Sequence, residues 1–179
     1  MKKRENSLEG EIELVAKKFL EDSKNQEVQI ISHFDTDGIT SATIMIQTLK
    51  KLDKQFTLKI VKNLEEDLVY SLSKNKITLF LDLASGSLNS IKDAGIEKVF
   101  VVDHHEIIQE IPENVTIINP ELHDKQKISS SCLTYLFCKQ ICPNIKDSAK
   151  LAVLGMIGDM LEKEIDKVNN GIVTDGEVQ

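Results

Sequence analysis

Five short strand-like runs, the first four separated from one another by stretches with helical spacing, constrain this chain more than any other feature. VQIIS (28–32), ITLFLD (77–82), KVFVVD (98–103) and VTIIN (115–119) are rich in β-branched residues and apolar at consecutive positions; FTLKIV (56–61) alternates instead. Apolar residues recur at every third or fourth position over about 8–22, through Leu8, Ile12, Val15 and Phe19, and again over 39–52. Residues 64–72, 87–94, 129–141 and 146–160 also read as helices. Strands apolar on both faces need cover on both sides, and strands alternating with helices form parallel sheets. The expected fold is therefore α/β, a mainly parallel five-stranded sheet with helices on both faces.

A chain of 179 residues fits one domain. With 41% apolar and 28% charged residues it has globular rather than disordered composition. No apolar run approaches the ~18–20 residues of a membrane span, and MKKRENSLEGE leads into charge rather than an apolar signal segment, so a cytoplasmic location and no membrane partner are expected. Cys132, Cys138 and Cys142 are odd in number and confined to one segment, as suits reduced cysteines packed on a helix. Beyond about residue 163 the chain turns polar, with Asn169-Asn170-Gly171, and reads as a loop or the beginning of something else. The expected organisation is one domain over 1–163, followed by a linker or the start of a C-terminal domain over 164–179. The net charge of −7 excludes a generally basic surface, so any nucleic acid must be met at a local site.

Ionisable residues follow the strands abruptly. His33, Asp35 and Asp37 come after the first, Asp82 ends the third, and Asp103-His104-His105 ends the fourth. In parallel α/β sheets ligands bind outside the carboxyl ends of the strands, so these residues should share one rim. Crowded carboxylates repel one another, and divalent cations relieve that repulsion. Carboxylate with imidazole suits Mn²⁺ or Zn²⁺, and Mg²⁺ less well. Two ions ~3.5–4 Å apart can activate a water and clamp a phosphoryl group in line, and Asp82, on the middle strand, is placed to bridge them. Gly155 and Gly158 interrupt a helical pattern at about 1 kcal/mol each relative to alanine, which suggests close packing that brings Asp159 to the rim. Taken alone, Asp35-Thr36-Asp37-Gly38 reads as a turn and helix N-cap, and His123 as a surface residue.

SHFDTDGITSA (32–42), LDLASGS (81–87), VDHH (102–105) and GMIGD (155–159) together resemble the four ordered motifs of the DHH phosphoesterase superfamily, most closely its archaeal RecJ-like nucleases. The resemblance implies a Rossmann-like catalytic domain holding two divalent cations, Mn²⁺ first and Mg²⁺ as the alternative. It implies that His33 and Asp35 ligate one metal, that Asp37, His104 and Asp159 ligate the other, and that Asp82 bridges them. It assigns catalytic roles to Asp103, which orients the histidine pair, and to His105, which meets the substrate phosphate. Ser130 and Ser131 in ISSSC (128–132) correspond to a helix start that would accept a phosphate. The implied activity is exonucleolytic hydrolysis of single-stranded DNA or RNA by water rather than by a side-chain nucleophile. Relatives within the superfamily imply two alternatives: hydrolysis of short oligonucleotides, cyclic dinucleotides or phosphoadenosine phosphate, and a replisome scaffold that binds GINS-type partners.

Overall fold

The computed structural model describes residues 7–123, 125–163 and 167–177. Strands β1 (Val28–His33), β2 (Phe56–Val61), β3 (Ile77–Leu81), β4 (Lys98–Val102) and β5 (Val115–Ile118) form one wholly parallel sheet in the order β2-β1-β3-β4-β5. Helices α1 (Leu8–Asp22), α2 (Thr36–Lys51), α3 (Glu66–Ser71), α4 (Leu88–Asp93), α5 (Ser130–Ile141), α6 (Ala149–Gly158) and α7 (Lys167–Gly176) surround it. The α/β fold expected from the alternating pattern is the fold observed. Pairing sets Ser32 beside Leu81 and Leu81 beside Val102, so neighbouring strands end level. Strand order adds what periodicity does not carry. The chain leaves β1 toward β2 on one side and later places β3 on the other, so the crevice of this doubly wound sheet opens at the ends of β1 and β3.

Alternate side chains of each strand enter opposite cores. Ile30, Leu79 and Phe100 pack with Phe19, Met45, Leu49 and Phe137 under α1, α2 and α5. The Phe19 ring meets Phe100 and Phe137 edge-on, at centroid distances of 5.3 and 5.4 Å. Ile31, Phe80, Val99 and Val101 face the other way, under Val69 of α3 and Leu88 and Ile91 of α4. Strand β2 differs. It lies at the sheet edge and is exposed through its middle, including Leu58 and Ile60.

Two local expectations change. The polar tail forms α7, whose Ile172 and Asn169 are buried; the Asn169 amide donates to the Lys127 carbonyl at 2.9 Å, and Asp175 accepts from the Tyr135 hydroxyl and from Lys139. Tertiary packing therefore overrides the poor helix propensity of Asn169-Asn170-Gly171. The expected boundary just after residue 163 falls on 164–166, outside the described residues. His123 is not a free surface residue: its Nε2 lies 3.0 Å from Glu11 Oε2 and both side chains are largely buried. Burial raises the pKa of Glu11 more than His123 lowers it. Cys132 and Cys138 are buried free thiols, as expected, and Cys142 is half-buried just past the end of α5. No helix among the described residues is long and apolar enough to cross a membrane.

Candidate metal centre

The first motif is a strand end folded straight into a helix start. Asp35 is the N-cap of α2 and accepts from the Gly38 N–H at 2.9 Å. Gly38 is required because a Cβ there would lie 2.4 Å from the His33 carbonyl oxygen. The cap and the ligand readings of Asp35 thus coexist: its other oxygen lies 2.8 Å from His33 Nδ1. Burial opposes the ionisation of Asp35, but the Gly38 N–H, Asp82 and His33 outweigh it and hold Asp35 below the usual carboxylate range.

Asp37, the second residue of α2, is fully buried. Its two carboxylate oxygens accept the Ser130 and Ser131 N–H groups at 2.7 and 3.0 Å, across 93 and 94 positions of sequence. These are the orphan donors of the first turn of α5, so the carboxylate of Asp37 closes the start of that helix. The phosphate-accepting role expected of Ser130 and Ser131 therefore meets a different arrangement. Both residues are fully buried and their N–H groups are already used by Asp37. They sit behind the rim as supports.

Asp82 leaves β3 with φ +60, in the left-handed region, and Ala84 follows with φ +99. Its N–H donates to the Val102 carbonyl at 2.9 Å, which ties the turn to β4. The carboxylate is buried, and neither oxygen has a hydrogen-bond partner. Around it stand His33 Nδ1 at 3.4 Å, His104 Nε2 at 3.6 Å and His105 Nδ1 at 4.0 Å. Burial first, and then Asp37, Asp35 and Asp103, push its pKa up to about 10. The Ser130 hydroxyl offsets part of this rise, without a bond of normal geometry.

The third motif divides its labour. Asp103 is fully buried and turned away from the rim: Oδ1 accepts the His104 and His105 N–H groups at 2.9 and 3.3 Å, and Oδ2 accepts the Ser85 N–H at 3.0 Å. Burial opposes its ionisation, but His105 and Ser85 outweigh it and hold Asp103 at about 2. His105 Nδ1 lies 2.7 Å from Asp103 Oδ1, which raises the histidine pKa and orients its ring. Burial lowers that of His104, whose Nε2 lies 3.2 Å from Asp159 Oδ2. Asn119, just past β5, was missed as a contributor: its amide donates to the His105 carbonyl at 2.9 Å and to the Ser85 hydroxyl at 3.0 Å. The one hint in the sequence is a polar residue ending a buried strand.

Asp159 caps the C-terminus of α6, where a carboxylate opposes the helix dipole. Burial, then Asp37 and Asp35, push it up to about 7. Two close approaches deliver it. A Cβ on Gly155 would stand 2.1 Å from Ser131 Oγ and 2.5 Å from Asp37 Oδ1, and one on Gly158 would stand 2.6 Å from Thr36 Cβ. Gly155→Ala should accordingly destabilise the protein by about 1–3 kcal/mol through overpacking, read as a lower urea midpoint at unchanged slope. An unchanged midpoint would show that α6 does not need this contact.

All six expected metal ligands thus meet at one rim. His33, Asp35 and Asp82 offer ligand atoms within 4.8 Å of one another, and so do Asp37, His104 and Asp159. Asp82 also groups with His104 and His105, which places it between the two sets. Among the described residues no lysine or arginine pairs with these carboxylates.

Residues 27–158 match the DHH family, N-terminal domain. An uncharacterised protein of Methanocaldococcus jannaschii is 29% identical over 177 residues, covering 92% of this chain and 40% of that protein. The single-stranded-DNA-specific exonuclease RecJ of Bacillus subtilis is 23% identical over 155 residues, covering 78% of this chain and 20% of the exonuclease. Among solved structures, RecJ of Thermus thermophilus in complex with Mn²⁺ superimposes with a TM-score of 0.74 at 20% identity, over 93% of this chain and 26% of that one. The chain therefore spans less than half the length of these proteins.

Proposed function

This chain belongs to the DHH family, and on that premise we propose that it is a two-metal-ion phosphodiesterase of the RecJ-like type, acting on single-stranded DNA or RNA. The observation that carries the reading is Asp82. A buried carboxylate with both oxygens unpaired, between two ligand sets and ringed by imidazoles, is costly unless a cation fills the space it faces. The donor set fits divalent ions, and its imidazoles favour Mn²⁺ over Mg²⁺. His33 and Asp35 would hold one ion, Asp37, His104 and Asp159 the other, and Asp82 both. Bound there, such ions neutralise the carboxylates, polarise phosphoryl oxygens and lower the pKa of a water.

The chain's own residues supply orientation. Asp103 accepts the His105 Nδ1–H and favours the charged imidazolium, whose Nε2–H on this half-exposed ring would donate to a phosphate oxygen. The Ser130 and Ser131 N–H groups hold the Asp37 carboxylate in place. The likeness to RecJ supports single-stranded nucleic acid as the substrate.

Turnover of end-labelled single-stranded DNA, RNA and dinucleotides in Mn²⁺ tests the proposal. Stepwise loss of nucleotides from the longer strands is expected. Cleavage confined to dinucleotides, cyclic dinucleotides or phosphoadenosine phosphate would replace the substrate assignment. Inactivity on every one would favour a scaffold of the kind that binds GINS-type proteins.

A further inference from the structure

Phe34 is an apolar ring left 48% exposed between two residues of the metal centre. Scattered exposed apolar residues are ordinary, so exposure alone decides nothing. Position sets this one apart. Its ring stands edge-on to His33, with centroids 5.0 Å apart and planes at 88°, so it is held at a fixed place beside the rim. Phe34 and Ile39 occupy the flanking positions of a hydrophobic staple around the Asp35 cap, yet Ile39 is also 47% exposed, so that pairing does not use up the ring. The parallel register pairs His33 with Val61, so Phe34 and the exposed Lys62 each directly follow the last paired position of two neighbouring strands at the open sheet edge. In a chain of net charge −7, an aromatic face and a cation thus adjoin the phosphodiesterase rim.

We infer that Phe34 and Lys62 form a subsite for one nucleotide flanking the reacting phosphate, with the ring taking the face of a base and the ammonium group its phosphate. The inference rests on the phosphodiesterase reading and adds where one base of that substrate would be held. Stacking on an aromatic ring accepts any base, because every base has a π-face, and one lysine neutralises one phosphate. Strand β1 and the α2 cap hold the ring, so a base stacked there would lie next to the metal ligands.

The test compares two Mn²⁺-dependent rates, on a single-stranded oligonucleotide and on an abasic tetrahydrofuran oligomer of equal length, with equilibrium binding of the oligonucleotide in EDTA read by fluorescence anisotropy. Phe34→Ala should lower the ratio of base-bearing to abasic kcat/KM about tenfold and weaken oligonucleotide binding by a similar factor. Phe34→Leu, which keeps an apolar staple without an aromatic face, should do the same. Phe34→Trp should restore both, and Tyr70→Ala, at a half-exposed ring on α3, should change neither. Lys62→Gln should weaken both ligands alike and flatten the salt dependence of binding by about one phosphate contact. A wild-type ratio or wild-type binding in Phe34→Leu would overturn the subsite while leaving the phosphodiesterase standing. Wild-type protein that cleaves neither oligomer would instead remove the phosphodiesterase, and the binding series would still decide the stacking.

Discussion

Asp82→Asn should abolish Mn²⁺-dependent hydrolysis, by on the order of a thousandfold, while raising the melting temperature of the metal-free protein. Asparagine tolerates the left-handed backbone at φ +60, so the substitution removes charge and leaves the turn intact. The two effects have one origin. A carboxylate held dry and unpaired destabilises the empty centre, and the same carboxylate is the group shared by both ligand sets. Ser130→Ala should reduce turnover only about tenfold, because it keeps the N–H that Asp37 accepts and removes only the hydroxyl that eases the ionisation of Asp82. Comparable, mild losses in the two variants would remove Asp82 from its bridging position.

Manganese should stabilise the protein, and more so as pH rises. Asp82 and Asp159 have native pKa values pushed up to about 10 and about 7, against the ordinary carboxylate value near 4 in the unfolded chain. Between pH 4 and 7 the native state therefore binds more protons than the unfolded state through both groups, and from 7 to 10 through Asp82. Metal-free stability that is full below pH 4 falls across these ranges. A cation displaces those protons, so its contribution grows where they are held least firmly. At a hundredfold excess over its dissociation constant it adds about 2.7 kcal/mol, or several degrees of melting temperature. Melting curves from pH 5 to 8, in EDTA and in millimolar Mn²⁺, should diverge steadily toward pH 8. Parallel curves would mean that the carboxylates are not where the cation binds.

Much of the sheet was legible because its signals are local. A strand apolar on both faces announces its burial, and a sudden Asp or His announces its end, as at ITLFLD and VFVVDHH. That was enough to gather His33, Asp35, Asp37, Asp82 and His104 at one rim. Asp159 needed the two glycines before it, whose close contacts with Thr36, Asp37 and Ser131 are the physical content of that motif. The parts that did not read are those set by distant partners. Ser130 and Ser131 look like an anion-binding helix start, and they are one, but the anion is Asp37. His123 has its partner in Glu11, 112 positions away, and α7 owes its helicity to α5 and α6 rather than to its own residues. Helix α2 begins at Thr36 rather than near Ile39 because one aspartate both caps it and faces the rim.

The bond between Asp37 and the start of α5 also carries a consequence for biosynthesis. Asp37 leaves the ribosome more than ninety residues before the amides that hold it, and its neighbour Asp159 follows later still. Until α5 and α6 dock, an early-formed β1–α2 unit would carry an aspartate without its counterpart. Closure of the centre is thus a late, long-range event in maturation, and the nascent half-built domain has a physical reason to stay open until its final helices arrive.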